Sequence, residues 1–145
     1  MEKKNKNYIK MTAIVAIVAN LSITIIELLV LFRILPYELI GGGRMGSYEK
    51  AAVLAVFSIL IQVVLVYCTA VAANILPHKK MQKIAGVILR VFIVYFTINI
   101  AMNLMGKTWF ERVYGSLICL VQIVCFSIIV HRRKNGKQCK VCNNG

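Results

Sequence analysis

The stretch MTAIVAIVANLSITIIELLVLF, residues 11–32, decides the fold of this chain because its 22 residues form one predominantly apolar run. A helix rises about 1.5 Å per residue, so a run of this length crosses the roughly 30 Å of hydrocarbon in a bilayer. Three further apolar runs follow at residues 51–76, 84–105 and 113–130. Backbone groups in lipid need partners within their own segment, so the pattern predicts four spanning helices and an all-α fold.

The composition agrees with a membrane protein. Of the 145 residues, 59% are hydrophobic, and the mean hydropathy of +0.75 exceeds that of soluble domains. Short connections place consecutive helices side by side and antiparallel, which predicts an up-and-down four-helix bundle over residues 1–134. The polar segment 135–145 is expected to be a flexible tail.

The net charge of +13 is explained by where the basic residues lie. Twelve of the 18 lie before the first run, between the second and third, or after the fourth. The positive-inside rule then predicts that both termini are cytoplasmic. We expect the membrane to be the cell membrane of a bacterium. Because the charges mark the ends of helices rather than one continuous surface, the chain is not expected to bind nucleic acid.

Each apolar run also carries polar residues at helical spacing. Estimated depths place most of them at the midplane or about 7 to 8 Å toward the outside, which predicts a polar centre in the outer half of the bundle. A purely structural alternative is that they form interhelical hydrogen bonds, each worth about 0.6 kcal/mol on average. The candidate binding residues within the runs are Asn20, Thr24, Glu27, Gln62, Asn99, Asn103 and Gln122.

Glu27 is the most demanding of these residues. It lies about 8 Å outward of the midpoint of the first run, where a charge would cost on the order of 2 to 3 kcal/mol or more. The side chain should therefore face the bundle or a wet cavity, where it would serve as a proton-linked or cation-attracting group. Arg90 lies about 7 Å inward of its own midpoint and should extend toward the inner headgroups rather than pair with Glu27.

The first outer loop, ILPYELIGGGRMGSYEK at residues 34–50, combines apolar, aromatic and charged residues. Pro36 is expected to end the first helix, and Ser47 is expected to be the N-cap of the second. One interpretation is an interfacial cap over the bundle, where tyrosine is favoured. The other is a lid over the polar centre, in which Arg44 attracts an anion or pairs with Glu38 or Glu49.

The remaining motifs give little support for catalysis. Cys139 and Cys142 form a CxxC pair in the tail, which is half of a zinc site, a redox pair or a pair of thiols open to acylation. The sequence contains no HExxH motif and no aspartate, and both histidines lie at the predicted cytoplasmic edge. We therefore expect a protein that is not an enzyme, and the sequence names no cofactor.

The loop sequence YELIGGGRMGSYEKA, residues 37–51, resembles a pattern in small, uncharacterised bacterial membrane proteins with four predicted helices. That resemblance implies the same four-helix membrane fold and no particular activity. Four spans with a carboxylate in the first are also similar to small multidrug transporters. The long outer loop and the absence of the transporters' other aromatic and glycine landmarks argue against membership.

Two functional hypotheses follow. The first is a non-enzymatic binding, accessory or regulatory membrane protein. The second is a small oligomeric transporter or channel in which Glu27 lies on a polar path. The expected partners are the lipid bilayer and either further copies of the chain or another membrane protein.

Overall fold

The computed structural model describes residues 2–41 and 44–142, and the side chains of residues 5–41 and 44–132. The described chain is helical and contains no strand, which confirms the predicted all-α fold. A 3-10 turn covers Tyr37–Leu39 in the first loop, and a π-helical turn over Glu111–Gly115 leads into the last helix. The four long helices are α1 Glu2–Leu31, α2 Tyr48–Ala72, α3 Gln82–Leu104 and α4 Ser116–Cys142.

The helices form an antiparallel four-helix bundle, as the short connections predict. Each helix packs against its neighbours in sequence, and α4 closes the bundle against α1, whereas the diagonal pairs touch little. All four helices are long and apolar enough to cross a membrane. We call the end with residues 32–47 and 105–110 the loop end, and the end with the N-terminus and residues 73–81 the termini end.

Left-handed residues follow the last turns of α1 and α2. Arg33 and Asn74 both have φ of 57°, which lets the following amides turn back to the last carbonyls of α1 and α2. Pro36 therefore lies beyond the turn that already ends α1. The second helix stops at Ala72, before the predicted end at 76.

The close-packed apolar core lies in the half of the bundle nearer the termini end. There the small residues of α1 and α2 allow close approach, and larger side chains from α3 and α4 fill the remaining space. Many large apolar residues on the outer faces stay exposed, among them Val53 and Ile98, as a lipid environment would require. The core includes Ala13, Ala16, Leu65, Val71, Ala85, Leu89, Phe126 and Ile129.

The expected boundary at residue 134 is not a helix boundary. Helix α4 continues to Cys142, so the segment predicted as a flexible tail is helical as far as that residue. Lysine and glutamine have good helix propensity, which lets the polar sequence prolong the apolar helix. The side chains of Cys139 and Cys142 lie outside the described residues.

Candidate functional site

A cavity of about 530 Å³ lies between the helices in the loop half of the bundle. All four helices contribute to its wall, and residues 39–41 and 44 of the first loop cover it. Ser58 and most of the predicted binding residues line the cavity. Those predicted residues are Asn20, Glu27, Arg44, Gln62, Asn99 and Asn103.

Glu27 is the buried carboxylate at the centre of the α1 and α2 wall. Its side chain is 8% exposed, and its Oε2 accepts a hydrogen bond of 2.5 Å from Gln62 Nε2. The same Gln62 nitrogen donates to Ser58 Oγ at 3.1 Å. Burying a polar group costs free energy unless the group is hydrogen-bonded, and here the hydrogen bond comes from the neighbouring helix α2.

Two residues of α1 fix the orientation of Gln62. Thr24 Oγ1 donates to Gln62 Oε1, and Asn20 Nδ2 donates to the Gln62 backbone carbonyl at 3.1 Å. Because Thr24 occupies the amide oxygen, the amide nitrogen is directed at Glu27. Thr24 does not line the cavity, so among the predicted residues it positions Gln62 rather than facing a ligand.

The opposite wall is built by α3 and α4. Asn99 and Asn103 face the cavity there, and Asn103 Nδ2 approaches Cys119 Sγ at 3.5 Å. Gly115 makes this arrangement fit, because a Cβ atom on it would lie 2.9 Å from Asn103 Nδ2. The wall thus presents two amides opposite the Glu27 carboxylate.

Arg44 joins the two loops above the cavity. Its Nη2 donates to the Met105 carbonyl at 2.8 Å, which connects the first loop to the end of α3. Within the described chain Arg44 forms no ion pair with Glu38 or Glu49, so the pairing considered for the lid is replaced by this backbone contact. The first loop does lie over the polar centre, as both interpretations of it require.

Glu111, just before the fourth apolar run, is a residue of the site that the sequence analysis did not single out. This side chain is 7% exposed, lines the cavity and accepts a hydrogen bond of 3.0 Å from Thr108 Oγ1. The spacing of the two residues in TWFE is that of a capping box, in which the glutamate folds back over the start of a helix. That signal was available in the sequence and would have placed Glu111 against the helix start.

Tyr114 is a second residue that the sequence analysis did not single out. It lines the cavity, and its hydroxyl donates to Ser22 Oγ at 2.8 Å, which joins the π-helical turn before α4 to α1. Nothing in the local sequence identifies this pair, because the two residues are 92 positions apart.

Gln122 is the one predicted residue that lies in a different layer of the bundle. It is fully buried, and its Nε2 donates to the Ala16 carbonyl at 3.0 Å. This contact between α1 and α4 fits the interhelical role that was weighed for all the polar residues. Arg90, in contrast, is exposed on the outside of α3, away from the cavity.

The site combines buried carboxylates with amide, hydroxyl and aromatic side chains. No group of three or more metal-ligating side chains occurs among the described residues. No protein-family model, curated protein or solved structure matches the chain. Its function has to be argued from the cavity.

Proposed function

We propose that this protein is a non-enzymatic membrane protein that binds a small molecule in the cavity at the loop end. The observation that carries the proposal is the cavity of about 530 Å³ with the buried Glu27 in its wall. That volume falls within the range of small-molecule sites, which are mostly apolar with a few placed polar groups. A carboxylate that served only to join helices would be a costly choice where an amide would suffice.

The proposed location is the cell membrane, with the termini end in the cytoplasm. The four apolar helices support a multi-pass membrane protein. The excess of lysine and arginine near the termini end supports the orientation. The cavity would then lie in the outer half of the membrane, beneath the first loop.

The proposal is tested by thermal unfolding of the full chain in nanodiscs against a panel of small amines, acids and alcohols. A ligand at about 100 times its Kd stabilises by about 2.7 kcal/mol, which corresponds to a rise in Tm of several degrees. We expect at least one compound to raise the Tm of the wild type. Asn99→Trp, which fills the cavity, should abolish that rise.

The matched control is Ile98→Trp, which adds the same side chain to an exposed position of the same helix. It should respond to the compound as the wild type does. A panel without any stabilising compound, or one that stabilises the Asn99→Trp protein equally, would contradict ligand binding in the cavity.

Transport is the second candidate function, and the position of Glu27 within a spanning helix favours it. Carboxylates inside membranes commonly mark ion and proton pathways. In proteoliposomes with an imposed pH gradient, a transporter should move the compound found above, and Glu27→Gln should abolish the gradient-driven flux. If the compound binds without measurable flux, or if the wild type and the Glu27→Gln protein show equal flux, transport through Glu27 is contradicted. Only the binding function then remains.

A further inference from the structure

We infer that the ligand of this cavity is a small organic cation with an aromatic or apolar body, held by Glu27. The inference rests on the proposed binding function and specifies its ligand class. It joins three observations: the hydrogen bonds of Glu27, the charges in the cavity lining and the aromatic wall.

Glu27 has acceptor capacity left for a ligand. An ionised carboxylate offers about four lone-pair positions, and the amide of Gln62 and the neighbouring hydroxyl of Ser58 account for only part of them. Among the described residues, no lysine, arginine or histidine forms an ion pair with Glu27. A ligand ammonium or guanidinium would supply the missing positive charge inside the protein, where an unpaired carboxylate is costly.

The charges of the lining also favour a cation. Two carboxylates, Glu27 and Glu111, line the cavity, and both side chains are buried. Arg44 is the only basic residue of the described lining, and it is exposed and bonded to the Met105 carbonyl in the loop that covers the cavity. An anionic ligand would have to approach the Glu27 carboxylate, and the Arg44 guanidinium lies at the periphery of the cavity.

The body of the ligand is indicated by the aromatic residues of the wall. Phe92, Tyr95 and Phe96 on α3 form a packed group with ring centroids 5.5 to 6.0 Å apart, and all three line the cavity. Phe57 and Phe110 add rings from α2 and the second loop connection. Aromatic faces attract cations and also bury apolar groups, so a charged head with a ring or short alkyl body satisfies both parts of the site.

The test uses three probes of similar shape and different charge: phenethylammonium, phenylethanol and phenylacetate. Binding is measured by calorimetry on the full chain in uncharged nanodiscs, with empty nanodiscs subtracted. We expect phenethylammonium to bind at least about tenfold more tightly than phenylethanol, with phenylacetate weakest, because only the cation can pair with Glu27. This comparison within the wild type does not depend on any variant folding.

A charge-neutralising variant then assigns the effect to Glu27. Glu27→Gln should weaken phenethylammonium at least about tenfold and leave phenylethanol nearly unchanged, since it keeps the size and removes the charge. Glu38→Gln is the matched control, because it removes an exposed carboxylate of the first loop that does not line the cavity. It should bind all three probes as the wild type does.

The outcomes separate this inference from the proposed function. The inferred cation is contradicted if phenylethanol or phenylacetate binds as tightly as phenethylammonium or more tightly, or if phenethylammonium does not bind. It is also contradicted if the Glu27→Gln and Glu38→Gln proteins bind phenethylammonium with equal affinity. If alcohols or acids still stabilise the wild type but not the Asn99→Trp protein, the cavity binds a ligand of another class. If no compound does, the binding function itself fails.

Discussion

The two halves of the bundle differ in how the interior between the four helices is filled. Near the termini end, alanines and large apolar residues such as Leu89 and Phe126 form a buried, packed core. Near the loop end, the same helices leave a cavity of about 530 Å³ and line it with polar groups. In membranes, where apolar surface gains little by leaving lipid, close packing is a main source of helix association. The termini half should therefore carry most of the stability.

The loop half is held by a different kind of contact. Its helices are joined by side-chain hydrogen bonds, from Tyr114 to Ser22 at 2.8 Å and from Tyr48 to the Leu31 carbonyl at 2.6 Å. Of these four residues, Tyr114 alone lines the cavity. The loop half can contain an open cavity because close packing in the termini half stabilises the bundle.

The largest expected effect compares the same substitution in the two halves. Leu89→Ala removes a fully buried side chain from the packed core and should lower the free energy of unfolding by about 2 kcal/mol, mainly through the cavity it creates. Leu54→Ala lies at the edge of the existing cavity, where its side chain is 38% exposed, and should cost less than about 0.5 kcal/mol. Both values are measurable by unfolding in mixed micelles of increasing denaturing detergent.

Equal losses for the two leucine variants would contradict the assignment of stability to the termini half. A larger loss for Leu54→Ala would reverse it, and would mean that the loop half collapses around its cavity in solution.

The sequence predicts the fold well because the determining signal is local. Four apolar runs of spanning length give the helices, and their short connections give the antiparallel order. The ends of α1 and α2 were harder to place, since Arg33 and Asn74 adopt left-handed geometry that glycine normally provides.

The candidate site was predictable only in part. Helical spacing grouped Asn20, Thr24 and Glu27 on one face, whereas the estimated depths placed Gln62 nearer the midplane than Glu27. The hydrogen bonds from Gln62 to this face of α1 could not be read from the sequence. Glu111 was missed because a charge near the end of a span is normally assigned to the loop, whereas here a π-helical turn carries it inward. Rotation of each helix about its axis depends on its neighbours, and one sequence does not specify it.

The smallest expected effect concerns the close contact between Gly115, at the end of the π-helical turn, and Asn103 of α3. Gly115→Ala would put a methyl group 2.9 Å from Asn103 Nδ2, so the Asn103 side chain must move away from Cys119. Because that amide is the end of a flexible side chain, the expected cost is about 1 kcal/mol or less of unfolding free energy. Ligand affinity should fall more clearly than stability, since Asn103 would turn into the space the ligand needs.

The control for this variant is Gly46→Ala in the first loop, where an added Cβ meets nothing within 4 Å. The Gly46→Ala protein should have the same free energy of unfolding in mixed micelles as the wild type. Its affinity for phenethylammonium, measured by calorimetry, should also be unchanged. If Gly115→Ala lost stability as strongly as Leu89→Ala, the loop half would be as tightly packed as the termini half. An unchanged affinity in Gly115→Ala would instead place the ligand away from Asn103, on the Glu27 side of the cavity alone.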